Sequence, residues 1–376
     1  MTIGPRSDIV CLSHLRWDFV FQRPQHLMTR HARRRRVFFV EEPQLDGGAP
    51  RLAMRADRGV QVVVPHLPHG LSQEDAAGEL SALLEHALRQ HAVRDPILWY
   101  YTPTGLASTA RLRPSLVVYD CMDELSAFRG APPGLLAEEA RLLQRAHVVF
   151  TGGSSLYEAK RQRHPNVHCL PSSVDVPHFR RAREPLPEPE DQAGIPGPRL
   201  GFFGVLDERL DVELLAGVAD ARPDWQLVMI GPVVKIDPAA LPRRPNIHYL
   251  GGKSYDELPR YLAGWDVALL PFARNEATRF ISPTKTPEYL AAGRPVVSTS
   301  IRDVVRPYGE KRLVRIADEP AAFVAAVEAA RREDAPDRTW RQRVDATLGR
   351  MSWNRTWART EKLMREALRR RESAAL

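Results

Sequence analysis

An alternation of apolar segments with amphipathic helical segments runs through this chain and constrains its fold more than any other feature. In the first half, apolar segments that suit buried strands lie at residues 8–12, 36–41, 60–64, 97–101, 116–119, 147–150 and 166–170. In the second half, they lie at residues 200–203, 226–230, 246–250, 267–270 and 295–298. Strands that alternate with helices form parallel βαβ units, because a crossover must carry the chain back along the sheet. The sequence therefore predicts an α/β protein with two Rossmann-type halves.

A proline-rich segment separates the two halves. Residues 183–198, REPLPEPEDQAGIPGP, show no apolar periodicity, so we interpret them as a linker. The predicted domains are then 1–182 and 199–350, which a chain of 376 residues readily accommodates. A terminal helix is expected over 351–376, with Trp353 and Trp357 at packing positions.

Composition excludes several classes of protein. With 43% hydrophobic and 27% charged residues, the chain is expected to be globular, and it has no run of 18 apolar residues that could span a membrane. Its three cysteines, Cys11, Cys121 and Cys169, are far apart in the sequence. They predict reduced thiols rather than a disulfide framework or a zinc site, and with them a cytoplasmic location.

Basic residues are concentrated in two segments of a chain with a net charge of +8. Residues 23–36 contain six arginines and no acid, and residues 338–371 are also basic. Such segments suit an anionic membrane surface, at the inner face of the cell membrane, or an acidic substrate. Solvated surface arginines are the alternative. No nucleic-acid-binding motif is present, so we do not expect a nucleic-acid partner.

The segment 280–298, FISPTKTPEYLAAGRPVVS, has the pattern of a loop, a short helix and a buried strand. Ser282 suits the helix cap and Pro283 the first helical position, and Gly293 is expected to end the helix. A helix start that also carries Thr284 and Lys285 offers hydroxyls, an ammonium and free N–H groups to an anion.

Glu288 lies three residues beyond Lys285, so both side chains project from nearly the same face of the helix. Phosphates at the helix start and ribose hydroxyls on Glu288 would suit a nucleotide diphosphate. Only six of the 54 basic residues are lysines, which favours a specific role for Lys285. A solvated Lys–Glu pair on an ordinary amphipathic helix is the alternative.

The run Ser-Pro-Thr-Lys-x-x-Glu-Tyr-Leu-Ala-x-Gly-x-Pro-Val-Val at 282–297 resembles the donor-binding segment of GT-B glycosyltransferases. It is most similar to the retaining family-four group and, within that group, to bacterial teichuronic-acid and exopolysaccharide enzymes. Residues 171–175, PSSVD, and the Ser-Trp pair at 352–353 resemble further motifs of the family in the expected order. One departure concerns Phe280, which occupies the position where the family commonly has a first glutamate that helps to hold the donor sugar.

The resemblance implies two Rossmann-like domains that face a central cleft, with the C-terminal helix crossing back to the first domain. It implies transfer of a sugar from a nucleotide diphosphate-sugar to a hydroxyl of a glycan or lipid-linked acceptor, with retention. Neither a bound metal nor another cofactor is implied. A catalytically silent sugar-binding relative, which the missing glutamate would suit, and a nucleotide-sugar epimerase are the two alternatives.

Donor-binding candidates lie in the second half, mostly in loops that follow its strands. Gly204 and Arg209 suit the diphosphate, the loops with Gly231 and Tyr255 flank the base by resemblance, and Asn275 and Thr278 could bond the sugar. Turn glycines and an exposed helix-start arginine are the alternatives. The full predicted donor set is Gly204, Arg209, Gly231, Tyr255, Asn275, Thr278, Ser282, Pro283, Thr284, Lys285 and Glu288.

Catalytic and acceptor-binding candidates lie in the first half. Asp120 and Asp123 come at the end of a buried strand, where a carboxylate could accept the proton of an acceptor hydroxyl or could cap a helix. His14, in the loop after the first strand, could lie near the reacting centre or be a structural histidine. The predicted acceptor-binding residues are Arg16, Trp17, Gln22 and Arg23.

Overall fold

The computed structural model describes residues 7–332 and 338–374, which divide into two compact units. The first unit contains the described residues up to Ser126, Gly130–Pro171 and the C-terminal segment from Trp353. The second contains Ala127–Arg129 and, within the described residues, Ser172–Ser352.

A largely parallel sheet forms the centre of the first unit. Its strands are β1 (Ile9–Ser13), β2 (Val37–Glu41), β3 (Gln44–Leu45), β4 (Arg51–Asp57), β5 (Val60–Leu67), β6 (Ile97–Tyr100), β7 (Leu116–Cys121), β8 (Val148–Thr151) and β9 (Val167–Cys169). They are ordered β3-β5-β2-β1-β6-β7-β8-β9, and β4 pairs antiparallel with β5. Ile9 lies opposite both Val37 and Ile97, so β1 is in the middle of the sheet. Its five buried residues are those of a strand covered on both faces.

Helices cover this sheet. They are α1 (Arg23–His31), α2 (Gln73–Gln90), α3 (Gly105–Ser108), α4 (Leu135–Arg145), α5 (Ser154–Lys160) and α14 (Trp353–Ala374). The terminal helix α14 contacts α1, where Trp353 stacks on His26 with ring centroids 4.4 Å apart. Leu363 and Met364 of α14 are buried in the same core. The predicted return of the terminal helix to the first domain is thus confirmed.

A buried ionic contact also attaches α14. Glu361 accepts hydrogen bonds from Arg35 Nη2 at 2.8 Å to each oxygen and from His31 Nδ1 at 2.8 Å. Burial raises the pKa of Glu361, but the hydrogen bond and charge of His31 and the charge of Arg35 outweigh it and hold that pKa below its ordinary value. The carboxylate is therefore ionised and compensated within the core.

A six-stranded parallel sheet forms the centre of the second unit, as far as the chain is described. Its strands are β10 (Arg199–Phe203), β11 (Gln226–Ile230), β12 (Ile247–Tyr249), β13 (Val267–Leu270), β14 (Val296–Ser298) and β15 (Arg315–Ile316), in the order β12-β11-β10-β13-β14-β15. The chain runs outward to one side of β10 and then returns to its other side through β13. This reversal is a topological switch point, and open α/β sheets bind ligands at the carboxyl ends of the strands that flank it.

Eight helices belong to the described part of the second unit. They are α6 (Val176–Arg180), α7 (Glu190–Ala193), α8 (Val212–Ala221), α9 (Leu258–Ala263), α10 (Lys285–Ala291), α11 (Arg302–Val304), α12 (Pro320–Arg332) and α13 (Arg338–Leu348). In neither described part of the chain, 7–332 or 338–374, does a helix have both the length and the apolar character needed to cross a membrane.

The proline-rich segment 183–198 differs from its prediction as a linker, because it lies within the second unit. Helix α7 belongs to this segment, and its Gln192 is fully buried. Gln192 accepts a hydrogen bond from Trp265 Nε1 at 2.9 Å and donates one to the Tyr261 carbonyl at 3.1 Å. The prolines therefore shape a packed connection, and the boundary between the units falls after Pro171 rather than after residue 182.

We expect Glu361→Gln to lower the free energy of unfolding by about 3 kcal/mol, because it leaves the buried Arg35 charge uncompensated. Urea unfolding, followed by tryptophan fluorescence, measures the change. The matched control is Glu366→Gln on the same helix, since Glu366 pairs with the exposed Lys362 at 3.7 Å. This control should change stability by less than about 0.5 kcal/mol. Equal midpoints for both variants would contradict the anchoring role of Glu361.

Candidate functional site

The candidate site lies at the carboxyl ends of β10 and β13, where hydrogen bonds join neighbouring loops. Leu206 N, in the loop after β10, donates to the Pro232 carbonyl in the loop after β11 at 2.9 Å. Asp211 N, at the other end of the first loop, donates to the Pro271 carbonyl after β13 at 2.9 Å. The three loops therefore form one connected edge at the switch point.

Two glycines bring the backbones of this edge into close contact. Gly204 and Gly231 have φ angles of +143° and +145°, which favour glycine. A Cβ atom on Gly231 would lie 1.8 Å from the Gly204 carbonyl oxygen, so no side chain fits there. Both predicted glycines thus have a conformational and a steric reason for their identity.

The Lys285 side chain occupies the space above Gly204. A Cβ atom on Gly204 would lie 2.0 Å from Lys285 Cε and 2.6 Å from its Nζ. The Nζ atom is also 5.7 Å from the centroid of the Phe202 ring. The first residue of α10 therefore brings an ammonium to the last residues of β10, although residues 202 and 285 are distant in the sequence.

Glu288 lies one turn farther along α10 and is 8% exposed. No hydrogen bond to its carboxyl group comes from residues 7–332 or 338–374. Burial raises its pKa to about 8, and the charge of Lys285 only partly opposes this shift. The carboxyl group is consequently mostly protonated at pH 7, and its oxygens are available to a ligand.

The start of α10 differs from the prediction. The helix begins at Lys285, Thr284 holds the cap position without a side-chain cap bond, and Ser282 and Pro283 precede the helix. A turn in which Thr286 N donates to the Pro283 carbonyl at 3.2 Å explains the shift. The predicted capping role of Ser282 is therefore wrong. Ser282 and Thr284 are half-buried, and neither hydroxyl is hydrogen-bonded within the described residues.

Tyr289 is a residue of this site that sequence reasoning missed. Its buried hydroxyl accepts a hydrogen bond from Phe203 N at 2.9 Å, which ties α10 to the end of β10. In the sequence, Tyr289 belongs to an apolar stretch of the helix, which indicates that it is buried. That pattern could not identify its hydrogen-bond partner. Tyr289 thereby fixes the position from which Lys285 extends.

Asn275 and Thr278 form hydrogen bonds with each other. Thr278 N donates to Asn275 Oδ1 at 3.1 Å, Asn275 N donates to Thr278 Oγ1 at 3.0 Å, and Asn275 Nδ2 donates to the Glu208 carbonyl at 3.0 Å. Thr278 is only 2% exposed, so the structure replaces its predicted sugar contact with a loop-closing role. Asn275 is exposed, and its sugar contact stays a prediction.

Arg209 pairs with a carboxylate of its own loop. Its Nε donates to Asp207 Oδ1 at 2.9 Å and its Nη2 to Asp207 Oδ2 at 2.6 Å. The guanidinium also lies 5.4 Å from the centroid of the Phe128 ring. This pairing competes with the predicted phosphate contact, which stays a prediction.

Tyr255 is engaged by an aromatic partner that the sequence did not reveal. Its ring stacks on His178 with centroids 4.3 Å apart, and His178 Nε2 donates to the Tyr255 carbonyl at 3.0 Å. Burial lowers the pKa of His178, which favours the neutral ring in this stack. The structure thus gives Tyr255 a packing role, and its predicted contact with a nucleotide base is untested.

Asp120 and Arg23, in the first unit, form a buried ion pair. Arg23 donates to Asp120 through Nε at 3.0 Å and through Nη2 at 2.8 Å, and its Nη1 donates to the Leu170 carbonyl at 2.7 Å. Both side chains are 0% exposed. Because neither can contact an acceptor, their predicted catalytic and acceptor-binding roles are replaced by a structural one.

Trp17 is also structural rather than acceptor-binding. It is 4% exposed, packs edge-on against Phe39, and its Nε1 donates to Asp57 Oδ2 at 2.6 Å. Arg16 is more exposed and donates to Glu41 Oε2 at 3.0 Å. Gln22 forms a capping box with Gln25 at the start of α1. Acceptor contacts of Arg16 and Gln22 stay predictions.

His14 and Asp123 are half-buried residues that follow β1 and β7. These two strands are separated by β6 alone, so both residues lie at the carboxyl edge of the first unit's sheet. Their predicted catalytic roles stay predictions, with that shared edge as their structural basis.

Part of this chain is similar in sequence to known glycosyltransferases. Residues 197–332, which include β10 to α12, match the family described as "Glycosyl transferases group 1". The putative teichuronic acid biosynthesis glycosyltransferase TuaH of Bacillus subtilis (strain 168) is 27% identical over 250 residues. That match covers 61% of this chain and 62% of the relative, so it spans less than two thirds of the relative's length.

Solved structures extend the likeness over nearly the whole chain. Sucrose-phosphate synthase from Thermosynechococcus elongatus superposes with a TM-score of 0.69 and 14% identity, covering 98% of this chain and 100% of the other. Anabaena HepE in complex with UDP and glucose gives a TM-score of 0.66 and 14% identity, covering 94% and 98%. The chain has the GT-B fold. Residues 197–332, the segment that is similar to group 1 glycosyl transferases, include the switch point with Lys285 and Glu288.

We expect Asp120→Asn to lower the free energy of unfolding by about 3 kcal/mol, because it leaves the buried Arg23 charge without its partner. Asp18→Asn is the matched control, since Asp18 pairs with Arg55 on the surface and should contribute less than about 1 kcal/mol. Chemical unfolding compares the two. A normally stable Asp120→Asn variant that has lost enzymatic activity would restore the catalytic interpretation.

Glu288 is expected to make stability depend on pH. Because its folded pKa of about 8 lies above the ordinary 4.5, the folded protein binds this proton more tightly, and stability from this group falls as pH rises from 4.5 to 8. Glu288→Gln should therefore be more stable than the wild type at pH 8 by about 1 kcal/mol or more, with a smaller gain at pH 5. Thermal unfolding at both pH values measures this, with the exposed Glu276→Gln as control. A gain that does not grow with pH would contradict the buried, protonated state.

Proposed function

We propose that this protein is a glycosyltransferase that moves a sugar from a nucleotide diphosphate-sugar to a hydroxyl group of a glycan or lipid-linked acceptor. One observation carries the proposal. Lys285 brings its ammonium over Gly204 at the switch point of the second unit, beside the buried Glu288 carboxyl group. A cation and a hydrogen-bonding carboxyl group one helical turn apart suit a diphosphate and an adjoining ribose.

The chemistry of sugar transfer explains why such a cation is useful. When the glycosidic bond to the donor breaks, the nucleotide diphosphate leaves as an anion. Lys285 stabilises negative charge on the departing phosphates, and a fixed cation needs no reorganisation as that charge develops. Gly204 has no side chain, so the Lys285 side chain can extend over it and present its ammonium to a diphosphate at the end of β10.

Glu288 has a complementary role in the proposal. Ribose hydroxyls that donate hydrogen bonds to its carboxyl group favour the ionised form, so bound nucleotide lowers the raised pKa. Nucleotide binding at pH 7 is then accompanied by proton release. This coupling distinguishes a nucleotide site from a simple surface pair of lysine and glutamate.

The comparisons support the donor class. The group 1 segment contains Gly204, Gly231, Lys285 and Glu288, and the structurally similar HepE has been solved with UDP and glucose. The relative named for teichuronic acid biosynthesis supports a cell-surface polysaccharide or glycoconjugate as the acceptor class. Retention at the anomeric carbon and activity without a bound metal complete the proposal, and both rest on the family resemblance.

Nucleotide-sugar binding tests the proposal through thermal stabilisation. At 100 times its dissociation constant, a ligand that binds only the folded state adds about 2.7 kcal/mol, which we expect to raise the melting temperature by about 5 °C or more. A panel of UDP-, GDP- and TDP-sugars is measured with EDTA present. We expect one nucleotide class to stabilise the wild type and Lys311→Ala, an exposed lysine control, but not Lys285→Ala.

Two outcomes would contradict the proposal. If no nucleotide sugar stabilises the wild type, the donor site is wrong. If stabilisation occurs but no sugar reaches any hydroxyl acceptor in a panel of glycans and polyprenyl-linked glycans, a sugar-binding protein without transferase activity replaces the enzyme.

A further inference from the structure

The structure joins two basic segments of the sequence on one surface of the first unit. Arg34 follows α1, and its guanidinium lies 4.7 Å from the centroid of the Trp357 ring on α14. Burial and the neighbouring charges of Arg34 and Arg365 lower the pKa of Arg35, against the effect of Glu361. Arg34 and Arg365 therefore both lie near the buried Arg35–Glu361 ion pair.

Helix α14 is strongly two-sided. One face, with Trp353, Leu363 and Met364, is buried in the first unit. The helical repeat places Arg355, Arg359, Lys362, Arg365 and Arg369 on the opposite face, and all five are exposed. Together with the exposed Arg34, these five residues are called the basic face below.

Acidic side chains do little to neutralise the basic face. Glu361 points into the core, where Arg35 and His31 already compensate it. Glu366 lies among the cations of α14 and contacts Lys362 at 3.7 Å. The exposed cations of the basic face outnumber the two half-buried carboxylates of this helix, Glu366 and Glu372, and give a positive potential along about 15 residues of helix.

A partly exposed indole lies next to these charges. Trp357 is half-buried, its Nε1 lies 3.2 Å from His31 Nδ1, and the Arg34 guanidinium lies over its ring. An amphipathic aromatic ring beside arginines suits the headgroup region of a bilayer, where one part of the ring is apolar and the other polar. The other aromatic residue in the described part of α14, Trp353, is buried and cannot stack on bases, which favours a lipid surface over a single-stranded nucleic acid.

We propose that the basic face docks the protein on an anionic membrane surface, with α14 lying along the headgroups. Charge complementarity favours an anionic membrane, because anionic headgroups attract a row of lysines and arginines. A helix that lies flat on the membrane can contact many headgroups at once. The inference rests on the proposed function in one respect: docking would bring the enzyme to a lipid-linked acceptor.

Vesicle co-sedimentation tests the docking without any nucleotide sugar. The full chain is mixed with phosphatidylcholine vesicles that contain 0% or 30% phosphatidylglycerol, in 50 mM or 500 mM NaCl. We expect binding to the anionic vesicles at low salt, and loss of most of that binding at high salt or without the anionic lipid.

A matched pair of charge variants locates the surface. The first variant, R359Q/K362Q/R365Q/R369Q, removes four cations of the basic face. The control, R94Q/R111Q/R141Q/R161Q, removes four exposed cations of the first unit outside α1 and α14. We expect the first variant to bind anionic vesicles about 100-fold more weakly or worse, while the control changes less than about 5-fold.

Three results would overturn the inference. They are equal weakening in both variants, binding that is insensitive to salt and lipid charge, and binding of duplex or single-stranded DNA with no binding to anionic vesicles. Circular dichroism and thermal unfolding confirm that both variants are folded. Since this assay contains no donor and the nucleotide assay contains no lipid, failure of docking and failure of the proposed function are separate results.

Discussion

The close contact between Gly204 and Gly231 is the constraint on which the candidate site depends. A Cβ atom on Gly231 would meet the Gly204 carbonyl, and a Cβ atom on Gly204, at a φ of +143°, would displace the Lys285 side chain. The Lys285 side chain extends over Gly204 and brings its ammonium to the end of β10. Tyr289 holds α10 against Phe203, so the ammonium is placed by the core rather than by a mobile surface loop.

Buried charges have opposite roles in the two units. In the first unit, Arg23 with Asp120 and Arg35 with Glu361 are compensated pairs, and each joins segments that are distant in the sequence. In the second unit, burial outweighs the charge of Lys285 on Glu288 and raises the glutamate pKa to about 8. An ion pair whose two charges compensate each other helps to hold the fold together. A carboxyl group that burial keeps protonated can instead ionise when a ligand binds.

Sequence periodicity was enough to predict the fold class and the strands of both sheets that are buried on both faces, such as β1 and β10, because apolar runs report burial directly. It did not predict β4, since the exposed residues of Arg51–Asp57 have no such run. The donor segment was recognisable from Lys285 and Glu288, but a local turn moved the helix start. Asp120 was misinterpreted because its partner, Arg23, lies 97 residues away, and sequence pattern carries no information on such a contact.

A crystal structure with a bound nucleoside diphosphate tests the central claim most directly. The account predicts a phosphate oxygen within about 3 Å of Lys285 Nζ and a ribose hydroxyl within about 3 Å of the Glu288 carboxyl group. A nucleotide bound elsewhere, with Lys285 still over Gly204 and no ligand atom near Glu288, would contradict it.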